Sequence, residues 1–119
     1  MEKLTCFKIT ETAKIMEEEV IKKLDITKKS FHRRMIDNYL NSDMEIDERL
    51  LISSRSGNPD YVIRNAKEQI YLDPEREKKV KKVMEELSEK TGKNVSMAIV
   101  LFQAMIDYLA ALYPIVRDE

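Results

Sequence analysis

The chain is expected to be mainly α-helical with one short antiparallel β-ribbon, and three observations lead there. Two segments, LTCFKIT at 4–10 and KEQIYLD at 67–73, alternate side chains with the two-residue period of a strand. Each is followed by two stretches whose apolar residues recur at helical spacing. Finally, ITKKSFHRRMIDNYL at 26–40 and VSMAIVLFQAMIDYL at 95–109 both start on an aliphatic and a hydroxyl residue and both close on Tyr-Leu.

Composition sets the outer limits. With 119 residues, 43% hydrophobic and 36% charged, two glycines and no tryptophan, the chain reads as a soluble, helix-rich domain, or as two half-domains sharing one core. The most apolar run, 97–113, is broken by Gln103 and Asp107, and MEKLTCFKIT lacks the apolar block of a signal peptide, so the expectation is a cytoplasmic protein with no membrane partner. Cys6 has no second cysteine to pair with, and no Cys/His spacing suits a metal, so neither a metal nor another cofactor is expected. The net charge of −1 gives no overall basic excess, so a nucleic-acid partner would have to be met by a local patch.

Along the chain, residues 4–10 place Thr5, Phe7 and Ile9 on one side of a strand. Thr10 or Thr12 can cap an amphipathic helix over 11–24, where Ala13, Met16, Val20 and Leu24 form the apolar face. The pattern breaks at Asp25-Ile26-Thr27. Asp25 tolerates the left-handed turn geometry better than most residues, and Thr27 caps a second helix with Phe31, Met35, Ile36, Tyr39 and Leu40 on one face, ending near Asn41. A linker over 44–66 carries a turn at Ser56-Gly57-Asn58-Pro59. Strand and helix then recur: Ile70 and Leu72 alternate with Gln69 and Tyr71, and Asp73-Pro74 opens a helix over 74–91 faced by Val80, Val83, Met84 and Leu87. Gly92 can stop that helix in the left-handed conformation, and Ser96 caps a last helix over roughly 97–112, before Pro114. The organisation is a first unit at 1–43, the linker, and a second unit at 67–119.

Setting Ile26 on Val95 carries Phe31 onto Val100, Met35 onto Ala104, Ile36 onto Met105, Tyr39 onto Tyr108 and Leu40 onto Leu109; His32 against Leu101 breaks the match. Two amphipathic hairpins of any helical bundle would also match apolar with apolar. A strand before the hairpin in both places favours duplication.

Strand, amphipathic helix, a turn ending on Ser or Thr, then a helix closing on Tyr-Leu resembles the ribbon-helix-helix DNA-binding proteins, the class of the Arc and MetJ repressors. Residues 5–40 and 68–109 carry the resemblance, the second with a longer first helix. Two copies in one chain are similar to the tandem TraY type of conjugation protein, and imply a pseudo-dimer whose two strands form one ribbon in the major groove of duplex DNA, as a transcriptional repressor or regulator, or as a plasmid or phage DNA-processing factor. The resemblance places Leu4, Cys6, Lys8, Lys67, Gln69 and Tyr71 on the base-reading face, where Gln suits adenine and Lys suits guanine. It places Thr27, Lys28, Lys29, Asn94 and Ser96 at the starts of the second helices, where free amides and the helix dipole attract phosphate. A near-neutral chain with few basic contacts is expected to bind weakly or cooperatively. A linker of this length allows the two units to pair within one chain or between two.

The last helix carries a second stripe, Ile99, Phe102 and Ile106, whose counterparts Ser30, Arg33 and Asp37 are polar. A helix apolar nearly all round needs cover on both sides, either from the linker's Leu50, Leu51, Ile52, Tyr61, Val62 and Ile63 or from another subunit or protein partner. No nucleophile-base pair and no phosphate-cradling glycine loop points to an enzyme; His32 is expected to be a partly buried helix residue and the methionines core filler. The alternative to DNA binding is a protein-interaction module, antitoxin-like or a helical adaptor, gripping a partner with the linker and last helix.

Overall fold

A seven-residue strand with one apolar side leaves backbone groups unpaired on both edges, and a two-helix hairpin exposes an apolar face. The computed structural model, which describes residues 3–117 and the side chains of 3–114, shows how one chain resolves both problems. In order, β1 (Lys3–Ile9), α1 (Glu11–Leu24) and α2 (Lys28–Leu40) are followed by two short 3-10 turns (Glu48–Leu51 and Ser54–Ser56), then β2 (Ala66–Leu72), α3 (Pro74–Thr91) and α4 (Met97–Arg117). Residues 1–2 and 118–119, the outer ends of the two expected units, lie outside the described residues.

β1 and β2 pair antiparallel within the chain, from Lys3 opposite Leu72 to Ile9 opposite Ala66, with Cys6 opposite Gln69 at the centre. The inner face of this ribbon buries Phe7, Ile9, Ile70 and Leu72. All four helices start where the sequence places a cap. Thr10 accepts a hydrogen bond from the Ala13 amide, Thr27 from Ser30, Asp73 from Arg76 and Ser96 from Ile99. Two left-handed residues stop α1 and α3, Asp25 at φ 53° and Gly92 at φ 68°.

The four helices close on the ribbon, and α4 is at the centre, packed against β1, α1, α2 and α3. Val100, Leu101, Phe102, Gln103, Ala104 and Met105 are all buried, and consecutive helical positions spread around the whole circumference, so α4 is covered on every side there. By length and composition α4 is the one helix among the described residues that could cross a membrane; here it is the core helix. α4 also runs through Pro114 to Arg117, where the sequence expectation ended it sooner. A proline removes one amide and crowds the carbonyl one turn back. That carbonyl belongs to Ala110, which is exposed, so water can take the lost hydrogen bond's place.

The linker supplies much of the cover that the apolar stripe needs. Leu50 is 2% exposed within the core, and Leu51 and Val62 pack against it. The Asp47 amide donates to Gln103 Oε1 at 2.8 Å, and Gln103 Nε2 donates to Asp107 at 2.8 Å, which satisfies the buried amide of α4. Tyr39, 1% exposed, donates its hydroxyl to the Glu45 carbonyl at 3.0 Å, and burial pushes its phenol up to about 12. Arg76 at the start of α3 forks onto both Asp37 carboxylate oxygens of α2 at 2.9 and 2.6 Å while bonding Asp73 at 2.9 Å, which fastens α3 to α2.

If the linker is core, Leu50→Ala should cost about 2–5 kcal/mol in urea unfolding, the range for truncating a buried leucine. A loss below about 0.5 kcal/mol, as for a surface substitution, would show the linker to be a loose tether.

Candidate functional site

Strand alternation sends Leu4, Cys6 and Lys8 of β1, and Lys67, Gln69 and Tyr71 of β2, to the outer face of the ribbon, and all six are exposed. The register sets them in three cross-strand pairs: Leu4 with Tyr71, Cys6 with Gln69, and Lys8 with Lys67. The base-reading candidates therefore share one surface. Two like charges face each other at Lys8 and Lys67, which costs stability in the free chain and is relieved beside an anion. Leu4 and Tyr71, 47% and 54% exposed, put an apolar pair at the other end.

Each long side of the ribbon opens onto a cleft. One, of about 430 Å³, is lined by Lys28, Lys29, His32, Gln69 and Tyr71, which joins the start of α2 to the outer face of β2. The other, about 630 Å³, runs between β1 and the start of α4; Cys6, Lys8 and Ser96 line it together with Tyr61, Ile63 and Arg64 of the linker. Of the phosphate candidates, Thr27 and Ser96 are the caps themselves, Lys29 is exposed at the first cleft, and Asn94 is exposed just before the second cap. Lys28 is half-exposed at the rim of the first cleft. Its ammonium turns inward to Glu68 Oε1 at 3.0 Å and lies 3.9 Å from Glu17 Oε1.

The stripe Ile99, Phe102 and Ile106 is also not the open surface that a partner would need. Phe102 is 2% exposed, and Ile99 and Ile106 are half-buried against the core. The physical reason is the linker, which lies over this side of α4 and shares the second cleft with Ile99.

Beneath the first cleft lies a cluster that sequence reasoning missed. Glu17 of α1, His32 of α2 and Glu68 of β2 are all buried, the two carboxylates completely. His32 Nε2 stands 3.2 Å from Glu17 Oε2 and 3.3 Å from Glu68 Oε2. Lys28 and, at 3.4 Å, Lys14 reach the outer oxygen of Glu68 from the half-exposed rim. Burial disfavours charge on His32, yet its hydrogen bonds to Glu17 and Glu68 and their charge outweigh it and hold the imidazole above its ordinary range. Burial would raise Glu68 too, but bonds with His32, Glu17 and Lys28 outweigh it and hold that carboxyl well below the usual range. Glu17 goes the other way: burial, with the neighbouring Glu68 carboxylate, pushes it up despite His32.

A signal for this cluster was present in the sequence. Glu68 is in phase with Ile70 and Leu72, Glu17 lies one turn from Ala13 and Val20, and His32 lies one turn from Met35 and Ile36, so each polar residue occupies an inward position. Counted from the helix caps, Glu17 stands where Val80 stands in α3, His32 where Leu101 stands in α4, and Glu68 where Thr5 stands in β1. The first cleft thus covers a charged interior, where the corresponding positions Thr5 of β1, Val80 of α3 and Leu101 of α4 hold a hydroxyl and two aliphatic residues.

Comparison with protein-family models, with curated proteins and with solved structures finds no match.

Removing one member of a buried charge cluster strands the others, whereas replacing all of them with apolar groups is often neutral or stabilising. His32→Leu should therefore lower stability by about 3–5 kcal/mol, and the triple change Glu17→Val, His32→Leu, Glu68→Thr should recover most of it. The pH response follows from the directions of the shifts. His32, held protonated, contributes stability fully present below its ordinary value of 6.5 and lost as pH rises through its raised folded value. Glu68, held ionised, contributes stability present above its ordinary 4.5 and lost as pH falls through its lowered folded value. Urea midpoints from about pH 6 to about pH 9 should fall in the wild type and stay flatter in the triple variant. A triple variant less stable than His32→Leu alone contradicts this energetic account.

Proposed function

We propose that the chain is a single-chain ribbon-helix-helix protein that binds duplex DNA in the cytoplasm with the outer face of β1 and β2 in the major groove, as a transcriptional regulator or as a plasmid or phage DNA-processing factor. The observation that carries this is the intramolecular ribbon with Cys6, Lys8, Lys67, Gln69 and Tyr71 exposed on one face. A two-stranded ribbon fits the roughly 12 Å major groove, Gln69 can donate to and accept from one adenine edge, and Lys8 and Lys67 can serve guanine or phosphate.

The register supports a duplicated origin. Pairings run outward symmetrically from Cys6 opposite Gln69, so exchanging the two strands sends Phe7 onto Ile70, Ile9 onto Leu72 and the cap Thr10 onto the cap Asp73. Capped starts of α2 and α4 beside the two clefts are where a duplex lying on the ribbon would present its phosphates, and first-turn amides have no partner inside their helix. Lys28 holds Glu68, so affinity rests on few cations, and two adjacent sites would be needed for tight occupancy. A protein-interaction module built on the last helix would find Phe102 already enclosed.

Fluorescence anisotropy with random and selected duplexes tests the proposal. Affinity for random duplex should fall as salt rises, with a log-log slope of about −0.9 per phosphate contact, and each of Lys8→Ala and Lys67→Ala that loses a phosphate contact should reduce that slope by about 1. Gln69→Ala should lower affinity for a selected site by roughly 5- to 150-fold, equivalent to about 1–3 kcal/mol, with random duplex little changed. No binding even at low salt overturns the proposal in favour of the interaction module. Undiminished selected-site binding by Gln69→Ala and Tyr71→Ala removes the ribbon as the reading surface.

A further inference from the structure

The three buried side chains beneath the first cleft meet through one donor atom each: His32 Nε2, Glu17 Oε2 and Glu68 Oε2. One such atom from each residue lies within 4.8 Å of the others. The two distances from Nε2, 3.2 and 3.3 Å, are long for a bond between charged partners, which settles at about 2.7–2.9 Å. One N–H also cannot point at both oxygens. A tetrahedral ion held at about 2.0–2.1 Å by imidazole and carboxylate sets its donor atoms about 3.3–3.4 Å apart, which these separations match.

A second, independent observation indicates a missing partner. Glu17 Oε1 is fully buried and accepts no hydrogen bond among the described residues. Such an orphaned carboxylate oxygen is costly, and an ion, or a water bound to one, removes the cost. Lys28 lies 3.9 Å from this oxygen, too far for a hydrogen bond. Lys28 and Lys14 take Glu68 Oε1, the outer oxygen, and leave Oε2 turned towards His32. His32 also lines the first cleft, which offers a path in from solvent.

We propose that Glu17, His32 and Glu68 form a site for one divalent ion of the zinc class, bound by the imidazole Nε2 and one oxygen of each carboxylate, with water or Glu17 Oε1 as the fourth ligand. One imidazole and two carboxylates suit Zn²⁺; the harder Mg²⁺ and Ca²⁺ favour all-oxygen shells, and a site this buried leaves little room for the waters that Mg²⁺ keeps. The ligands come from α1, α2 and β2, so the ion would cross-link three elements of the fold, beside Gln69 on the ribbon. The expectation of no metal, drawn from Cys/His spacing alone, overlooked glutamates far apart in sequence. This site does not depend on the DNA-binding proposal.

The full chain, stripped with a chelator, is titrated with Zn²⁺ in a calorimeter, with Mg²⁺ as control, and Co²⁺ is then used as a spectroscopic substitute. One Zn²⁺ per chain, a raised unfolding temperature and visible Co²⁺ bands of a four-coordinate N/O site without thiolate charge transfer are expected. Glu17→Gln and Glu68→Gln, each checked for native circular dichroism, should weaken Zn²⁺ by more than the roughly 10- to 100-fold typical of losing an outer-shell partner. Cys6→Ser should change nothing. Absence of Zn²⁺ binding and of Co²⁺ bands in the wild type overturns the proposal without any variant, as does binding that survives both glutamine substitutions.

Discussion

The constraint that organises this molecule is the pairing of β1 with β2. Neither strand is long enough to persist alone, and an isolated two-stranded ribbon is marginal in water, so the inner face must be covered as soon as it forms. Phe7, Ile9, Ile70 and Leu72 supply the apolar side of that bargain, and the helices following each strand supply the cover. Because the strands lie far apart in the chain, closing them together folds the linker back over α4 and sets Arg76 of α3 on Asp37 of α2. Pairing, enclosure and linker docking therefore depend on one another, and the outer face of the ribbon stays exposed.

Much of this architecture was legible because local chemistry and global fold agree. Thr10, Thr27, Asp73 and Ser96 are good caps and act as caps; Asp25 and Gly92 stand where left-handed geometry is needed and adopt it. The outward set of the ribbon followed from period two alone. What escaped was decided by contacts between distant segments. Whether linker or partner covers α4 depends on how 41–65 folds back, which periodicity does not encode. The helix through Pro114 depends on solvent at Ala110. The role of Lys28 depends on Glu68, distant in sequence and inward only once the strand's phase is taken seriously.

The buried Glu17, His32 and Glu68 cluster shows where a sequence-level rule fails for a physical reason. At the corresponding places stand Val80 of α3, Leu101 of α4 and Thr5 of β1, residues that fill a core without desolvating charge. Placing two carboxylates and an imidazole there costs desolvation that apolar residues avoid, so the cluster is hard to understand as a stability device. It sits beneath the cleft that Lys28, Lys29, His32, Gln69 and Tyr71 line, where the start of α2 meets the ribbon face.

The claim on which all of this rests is that a single chain closes its own ribbon, and Cys6 offers a direct probe of it. Cys6 lies opposite Gln69, and directly opposed residues of antiparallel strands have Cα separations of about 4.5–5.5 Å, inside the Cα range a disulfide can span. Gln69→Cys, oxidised at low micromolar concentration and analysed by non-reducing electrophoresis and mass spectrometry, should give a monomer lacking two hydrogens with residues 6 and 69 joined. Covalent dimers joined through the same positions would show strands exchanged between chains, and two unreacted thiols would show that the strands do not pair; either result contradicts the account.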